Sequence, residues 1–186
     1  EASQNFTKED CENVISWMKS KELNHAQVFK VDKPNDSFAD EFMIVRNQCE
    51  TTNLEKYKMI GIQDQYFKKK RLDPLTIIRE FNKIAKFKAL LPDEEIECTA
   101  VILSTAIQNL KHLEFLEYDI TGLGYKLNLK AAQKYKASEK DIQYLKEVDS
   151  LNFEGFVLTN EELFNFYTSD DVKILKMKEK SFEEDY

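Results

Sequence analysis

The pattern of apolar and polar positions divides the chain into three stretches. The first opens with Thr7-Lys8-Glu9-Asp10, which has the form of a capping box with Asp in the place of Glu, and predicts a helix to about residue 21. Cys11, Val14, Ile15 and Met18 fall on one face of it, at i, i+3, i+4 and i+7. The single Trp17 lies roughly 100° from the centre of that stripe, which puts it at the rim of the core. Three short segments rich in Val, Ile, Phe and Tyr follow, 26–31, 41–46 and 57–62, with Pro34-Asn35-Asp36 breaking the chain between the first two. They read as strands of a small sheet, antiparallel because the connections are too short for crossover helices.

The second stretch reads as helical. Asp73-Pro74 combines an N-cap acceptor with Pro at the first helical position, and the helix runs to about residue 91 on Ile77, Ile78, Phe81, Ile84 and Ala85. Pro92 breaks it, and Asp93-Glu94-Glu95 place negative charge in the first turn of another helix. Ile96, Ala100, Leu103, Ile107 and Leu110 then follow a four-three alternation that Ile102, Ala106 and Leu116 widen. Residues 94–117 are therefore expected to form the most buried helix.

In the third stretch, Ile120-Thr121-Gly122-Leu123-Gly124 reads as a loop, followed by a Lys-rich helix around 129–137. Ser138-Glu139-Lys140-Asp141 caps a further helix carrying Ile142, Leu145 and Val148. Residues 153–158 predict a fourth strand, Thr159-Asn160-Glu161-Glu162 a capping box for a helix through Phe164 and Tyr167, and Ser169-Asp170-Asp171 the start of a last helix with Val172, Ile174 and Leu175. The fold expected is a helix-dominated α+β single domain over 1–186 with a small, mainly antiparallel sheet of three or four strands. Within it, 1–66 hold the first helix and strands, 73–150 a helical core, 151–180 a strand and short helices, and 181–186 an acidic tail.

Composition narrows the class. With 186 residues, 42% of them hydrophobic, the chain is long enough for a packed core, and only four Gly and three Pro beside 13 Phe and 8 Tyr argue against extensive disorder. No apolar run approaches the roughly 20 residues that span a bilayer. Cys11, Cys49 and Cys98 are widely spaced with no C-x-x-C pair, which suits reduced thiols in an intracellular protein, cytoplasmic or nuclear. The rival is a secreted chain with one disulfide, in which Asn5-Phe6-Thr7 and Asn35-Asp36-Ser37 would be glycosylation acceptors. Glu1 rather than Met opens the sequence, as it would after removal of a leader or an upstream domain.

Catalytic chemistry finds little support. His25 and His112 are the only histidines, and His112 and Cys98, fourteen residues apart, would sit about 21 Å apart along one helix. Neither His has metal-ligand spacing, so no metal and no cofactor are expected. Gly122-Leu123-Gly124 with Lys126 lacks the third Gly of a dinucleotide loop and the G-K-[ST] of a P-loop, and reads as a turn. An enzyme using carboxylate and Lys acid–base groups, with Asp119 as the acid–base residue and Lys126 as anion clamp, is one alternative. A small-molecule pocket between sheet and helices, lined by Phe and Tyr, is another.

Charge is distributed more unevenly than the net −7 suggests. Between 68 and 88 stand Lys68, Lys69, Lys70, Arg71, Arg79, Lys83, Lys86 and Lys88 against only Asp73 and Glu80. Arg79, Lys83 and Lys86 form a stripe opposite the apolar face, at i, i+4 and i+7, and Lys126, Lys130 and Lys134 make a second at i, i+4 and i+8 with Tyr125 and Tyr135 nearby. Such faces attract phosphates or acidic protein surfaces. The function expected is a non-enzymatic binding module of a larger assembly, using the 68–88 face against an acidic protein partner or nucleic acid. The oligomeric state is left open by the periodicity.

Overall fold

The computed structural model describes residues 7–20, 27–30, 39, 41–48, 55–65, 72–91, 96–104, 109–119 and 124–159. Helix α1 spans Lys8–Ser20 and the strands β1, β2 and β3 span Gln27–Lys30, Glu41–Gln48 and Glu55–Gln65. The long helix α2, Pro74–Leu90, leads to β4, Ile96–Ser104. A hairpin of β5, Leu116–Asp119, and β6, Gly124–Leu127, follows, then the short helices α3, Leu129–Gln133, and α4, Glu139–Ile142, and finally β7, Phe153–Leu158.

The seven strands form one mixed sheet in the order β1-β2-β3-β4-β7-β6-β5. The flanking pairs β1–β2, β2–β3, β5–β6 and β6–β7 are antiparallel, whereas β3–β4 and β4–β7 are parallel. The parallel centre exists because α2 is a crossover from β3 to β4. This corrects the expectation of a helix-dominated chain with a three- or four-stranded, mainly antiparallel sheet. The antiparallel part of that expectation holds for β1–β3, and the fourth strand at 153–158 is present, but it lies in the middle of the sheet between β4 and β6.

The main correction is β4, expected as the most buried helix. Ile96, Cys98, Ala100, Ile102 and Ser104 are buried toward α2, and Thr99 on the other face is buried too. A strand inside a parallel centre meets cover on both faces, so its sequence lacks the alternation that marks a half-exposed strand. A continuous apolar run then fits a helical stripe as well as a strand, and β-branched Ile96, Thr99, Val101 and Ile102 are the cue that separates them. The same error carried residues 109–117 into the helix: they form a turn, held by Leu113 N–H to Leu110 O and Leu116 N–H to Leu113 O, and then the start of β5.

Local signals elsewhere fold as their chemistry dictates. Thr7 and Asp10 make the reciprocal capping contacts, with Thr7 N donating to Asp10 Oδ2 at 2.8 Å and Asp10 N to Thr7 Oγ1 at 3.2 Å. Asp73 caps α2 by accepting from Thr76 N at 3.0 Å and from the Thr76 hydroxyl at 2.7 Å.

The core lies between α2 and one face of the sheet. Gly61, Ala100 and Gly155 are aligned in one row across β3, β4 and β7. Into the groove they leave fit Ile84 and Phe81: a Cβ on Gly61 would lie 2.8 Å from Ile84 Cγ2, and one on Gly155 would lie 2.6 Å from Phe81 Cε1. The larger residues beside that row, Met59, Cys98, Ile102, Phe153 and Val157, are buried around the helix. Helices α1 and α4 pack against α2 itself. No helix among the described residues is long and apolar enough to cross a membrane.

Candidate functional site

The basic stripe of α2 is largely consumed by its own neighbours. Ten of its seventeen residues are buried, because the sheet lies beneath it and α1 and α4 pack against it. Arg79 is exposed, but its Nε donates to Asp141 Oδ1 at 2.8 Å. Hydrogen bonds from Ser138 and from Arg79 hold the Asp141 carboxyl below its usual range. Lys83 Nζ lies 3.2 Å from Glu80 Oε1, one turn back. Lys86 is buried with its Nζ 5.7 Å from the Tyr144 ring centroid, and Lys88 is buried and donates to Leu91 O at 3.4 Å, closing the helix C-terminus. Lys68, Lys69, Lys70 and Arg71 lie outside the described residues.

The second stripe is divided between two elements. Lys126 stands on β6, exposed, on the face of the sheet away from α2. There it contributes to a polar ridge across three strands, in which Lys58 Nζ of β3 and Thr99 Oγ1 of β4 each donate to Glu154 Oε1 of β7 at 3.0 Å. Burial pushes the Glu154 carboxyl up, but the hydrogen bonds from Lys58 and Thr99 and the charges of Lys58 and Lys126 outweigh it and hold the group below its ordinary value. Nothing in the sequence pairs residues 58 and 154, which meet only through the insertion of β7.

Lys130 lies on α3 and Lys134 at its C-cap, both exposed, and the exposed Lys136 and Lys140 follow. Asn128 caps α3 through its side chain, accepting from Ala131 N at 3.1 Å. None of these four lysines makes an ion pair among the described residues. The acids at the end of the run are committed elsewhere, Glu139 to Lys146 at 2.9 Å and Asp141 to Arg79. The nearby tyrosines are part of the packing. Tyr125 is buried with its hydroxyl accepting from Leu110 N at 3.2 Å, and Tyr135 meets Phe115 edge-on at 5.2 Å.

Two side-chain amides that sequence reasoning missed hold this region in place. Asn82 of α2 accepts from Tyr144 N at 2.9 Å and from Leu145 N at 3.2 Å, and donates to Lys140 O at 3.4 Å. Gln133 donates to Leu145 O at 2.8 Å and to Val148 O at 3.1 Å. Their partners are 12 to 63 residues away, so neither leaves a local motif.

The remaining candidates for chemistry are dispersed. Asp119 pairs in register with Gly124 at the end of the β5–β6 hairpin, and Gly124 takes φ 76°, a left-handed conformation that glycine accepts. Residues 120–123, with Gly122 and Leu123 of the expected loop, lie outside the described residues. His112 is exposed in the 109–115 turn, and His25 lies outside the described residues. Burial pushes the Cys11 thiol up to about 12, and burial raises that of Cys98 as well, which leaves both protonated near neutrality. Among the described residues no group of three or more His, Cys, Asp or Glu is placed to hold a metal ion. No protein-family model matches the chain, and neither a curated protein nor a solved structure matches it.

Proposed function

We propose that the chain is a non-enzymatic binding module of a larger assembly that engages an acidic partner protein through the lysines of residues 129–140. The observation that carries this reading is a run of exposed cations, Lys130, Lys134, Lys136 and Lys140, whose neighbouring acids are already bound by Lys146 and Arg79. A single exposed lysine attracts a carboxylate at 4 Å by only about 1 kcal/mol in water, so affinity has to come from several acting together. With a net charge of −7, the rest of the surface repels an acidic partner and favours its approach on this side. A protein is preferred to nucleic acid because Tyr125 and Tyr135 are held in the packing, whereas single-strand binding relies on rings free to stack on bases.

The test is fluorescence anisotropy with labelled polyglutamate, duplex DNA and single-stranded RNA at about 50 and 200 mM salt. Polyglutamate is expected to bind best, and a Lys130→Glu, Lys134→Glu, Lys136→Glu triple variant to weaken it by roughly tenfold or more. A Lys68→Glu, Lys69→Glu, Lys70→Glu variant tests the 68–71 basic run separately. Tighter binding of DNA or RNA, with a steep salt slope, would transfer the reading to nucleic acid. No binding of any probe at low salt would end it.

A further inference from the structure

The register lays one row of residues across five strands on the face of the sheet turned away from α2. It runs from Glu41 of β2 through Ile62 of β3, Val101 of β4 and Phe156 of β7 to Lys126 of β6. The row is apolar at its centre and carries opposite charges at its two ends. Ile62, Val101 and Phe156 are only partly buried, as are Ile60, Leu103 and Leu158 in the rows beside it. The described helices gather on the opposite side, where α2 packs on β4 and β7, and α1 and α4 pack on α2. Parallel strands at the centre of a sheet are normally covered on both faces. Lys126 is exposed, and the carboxylates beside it on β7 and β5 are already engaged. Glu154 accepts from Lys58 and Thr99 at 3.0 Å, and Glu117 from the Asn128 amide at 3.0 Å.

We propose that this face joins two copies of the chain as a weak, symmetric dimer. A two-fold axis running along β4, between two stacked sheets, sets each strand opposite the one equally far from β4 on the other side. Glu41 and Lys126 both lie two strands from β4, about 10 Å to either side. Glu41 of one copy therefore stands opposite Lys126 of the second, and the same pair recurs at the other end of the row. Between them Ile62 faces Phe156 and Val101 meets its own counterpart. Stacked sheets lie about 10 Å apart, within the joint reach of a Glu and a Lys side chain. A two-fold axis running across the strands would instead set Lys126 against Lys126 and Glu41 against Glu41. Charge selects the first arrangement. Five strands by five residues measure about 19 Å by 17 Å, far less than the roughly 800 Å² per partner of a standard interface, so association is weak. This inference is independent of the lysine surface at 129–140.

Sedimentation equilibrium of the full chain at about 50 mM salt and up to about 300 μM protein is expected to show a reversible monomer–dimer equilibrium. Glu41→Lys and Lys126→Glu, each checked for folding by circular dichroism, should each weaken it by roughly tenfold. The two reversals combined should restore it to within about threefold, because the pair is rebuilt with its signs exchanged. A monomer throughout that range would overturn the proposal. So would a dimer that either single reversal leaves unchanged, or that the double reversal fails to restore. p-Benzoylphenylalanine at position 156 gives a second readout in a mixture of unlabelled and isotope-labelled protein. Irradiation is expected to link it to β3 of a second copy, near Ile62. Links confined to its own chain, or to other parts of the second copy, would equally overturn the proposal.

Discussion

At the scale of single residues, the tightest constraint is Gly155. A Cβ there would meet the Phe81 ring at 2.6 Å, well inside contact distance, and the ring is held in the core. Gly155→Ala should therefore cost about 1–3 kcal/mol as overpacking does, seen as a lower midpoint in denaturant titration. Adding Phe81→Leu should recover part of that loss, giving a coupling energy in the double-mutant cycle that two independent sites would not show. Asn82 is the second point of leverage. Asn82→Ala leaves the N–H groups of Tyr144 and Leu145 without their acceptor, at a cost of about 1–3 kcal/mol in the same titration. Glu154 sets a pH dependence. Its folded-state value is depressed, so its stabilisation is present above the ordinary value of 4.5 and is lost as pH falls through the lowered one. Asp73 and Asp141 are depressed as well, from 3.8, so they act at still lower pH. Glu154→Gln is expected to flatten the upper part of the acid limb in a plot of melting temperature against pH, leaving the lower part in place.

At the scale of elements, what was legible in the sequence was whatever a few neighbouring residues decide. The caps at Thr7–Asp10 and Asp73–Thr76 are local hydrogen-bond patterns, and α1, α2 and the first three strands fall where those signals and the apolar periods place them. Asp73→Ala should accordingly cost about 1 kcal/mol, measured by thermal melting, and the loss should be confined to conditions where the Asp73 carboxylate is ionised. Element β4 was misread because apolar residues stand on both of its faces, Val101 and Leu103 on one and Ala100 and Ile102 on the other, which removes the alternation by which a strand is recognised. The surroundings of the α2 basic stripe were hidden for a related reason. Spacing placed Arg79, Lys83 and Lys86 on one side of the helix, but α1 and α4 also pack on it, so the cations became ion pairs and buried stems. A helix pattern shows which residues share a side and not how many neighbours that helix will have.

At the scale of the whole molecule, the strand order β1-β2-β3-β4-β7-β6-β5 has a consequence for how the chain is made. The piece that joins the two flanks of the sheet is the last of the described strands to be synthesised. Until residues 153–158 leave the ribosome, β4 has an open edge, and the β5–β6 hairpin has nothing to pair with on its inner side. A nascent chain arrested within 128–152 should therefore be cut readily by protease, and become resistant once β7 has emerged, rather than gain protection gradually. Closure of the sheet then depends on contacts distant in sequence, such as Lys58 with Glu154, 96 residues apart, which makes completion slow for a chain of this size. Any premature stop before Phe153 would release two half-sheets with exposed inner edges, so the product would be prone to aggregation as well as incomplete.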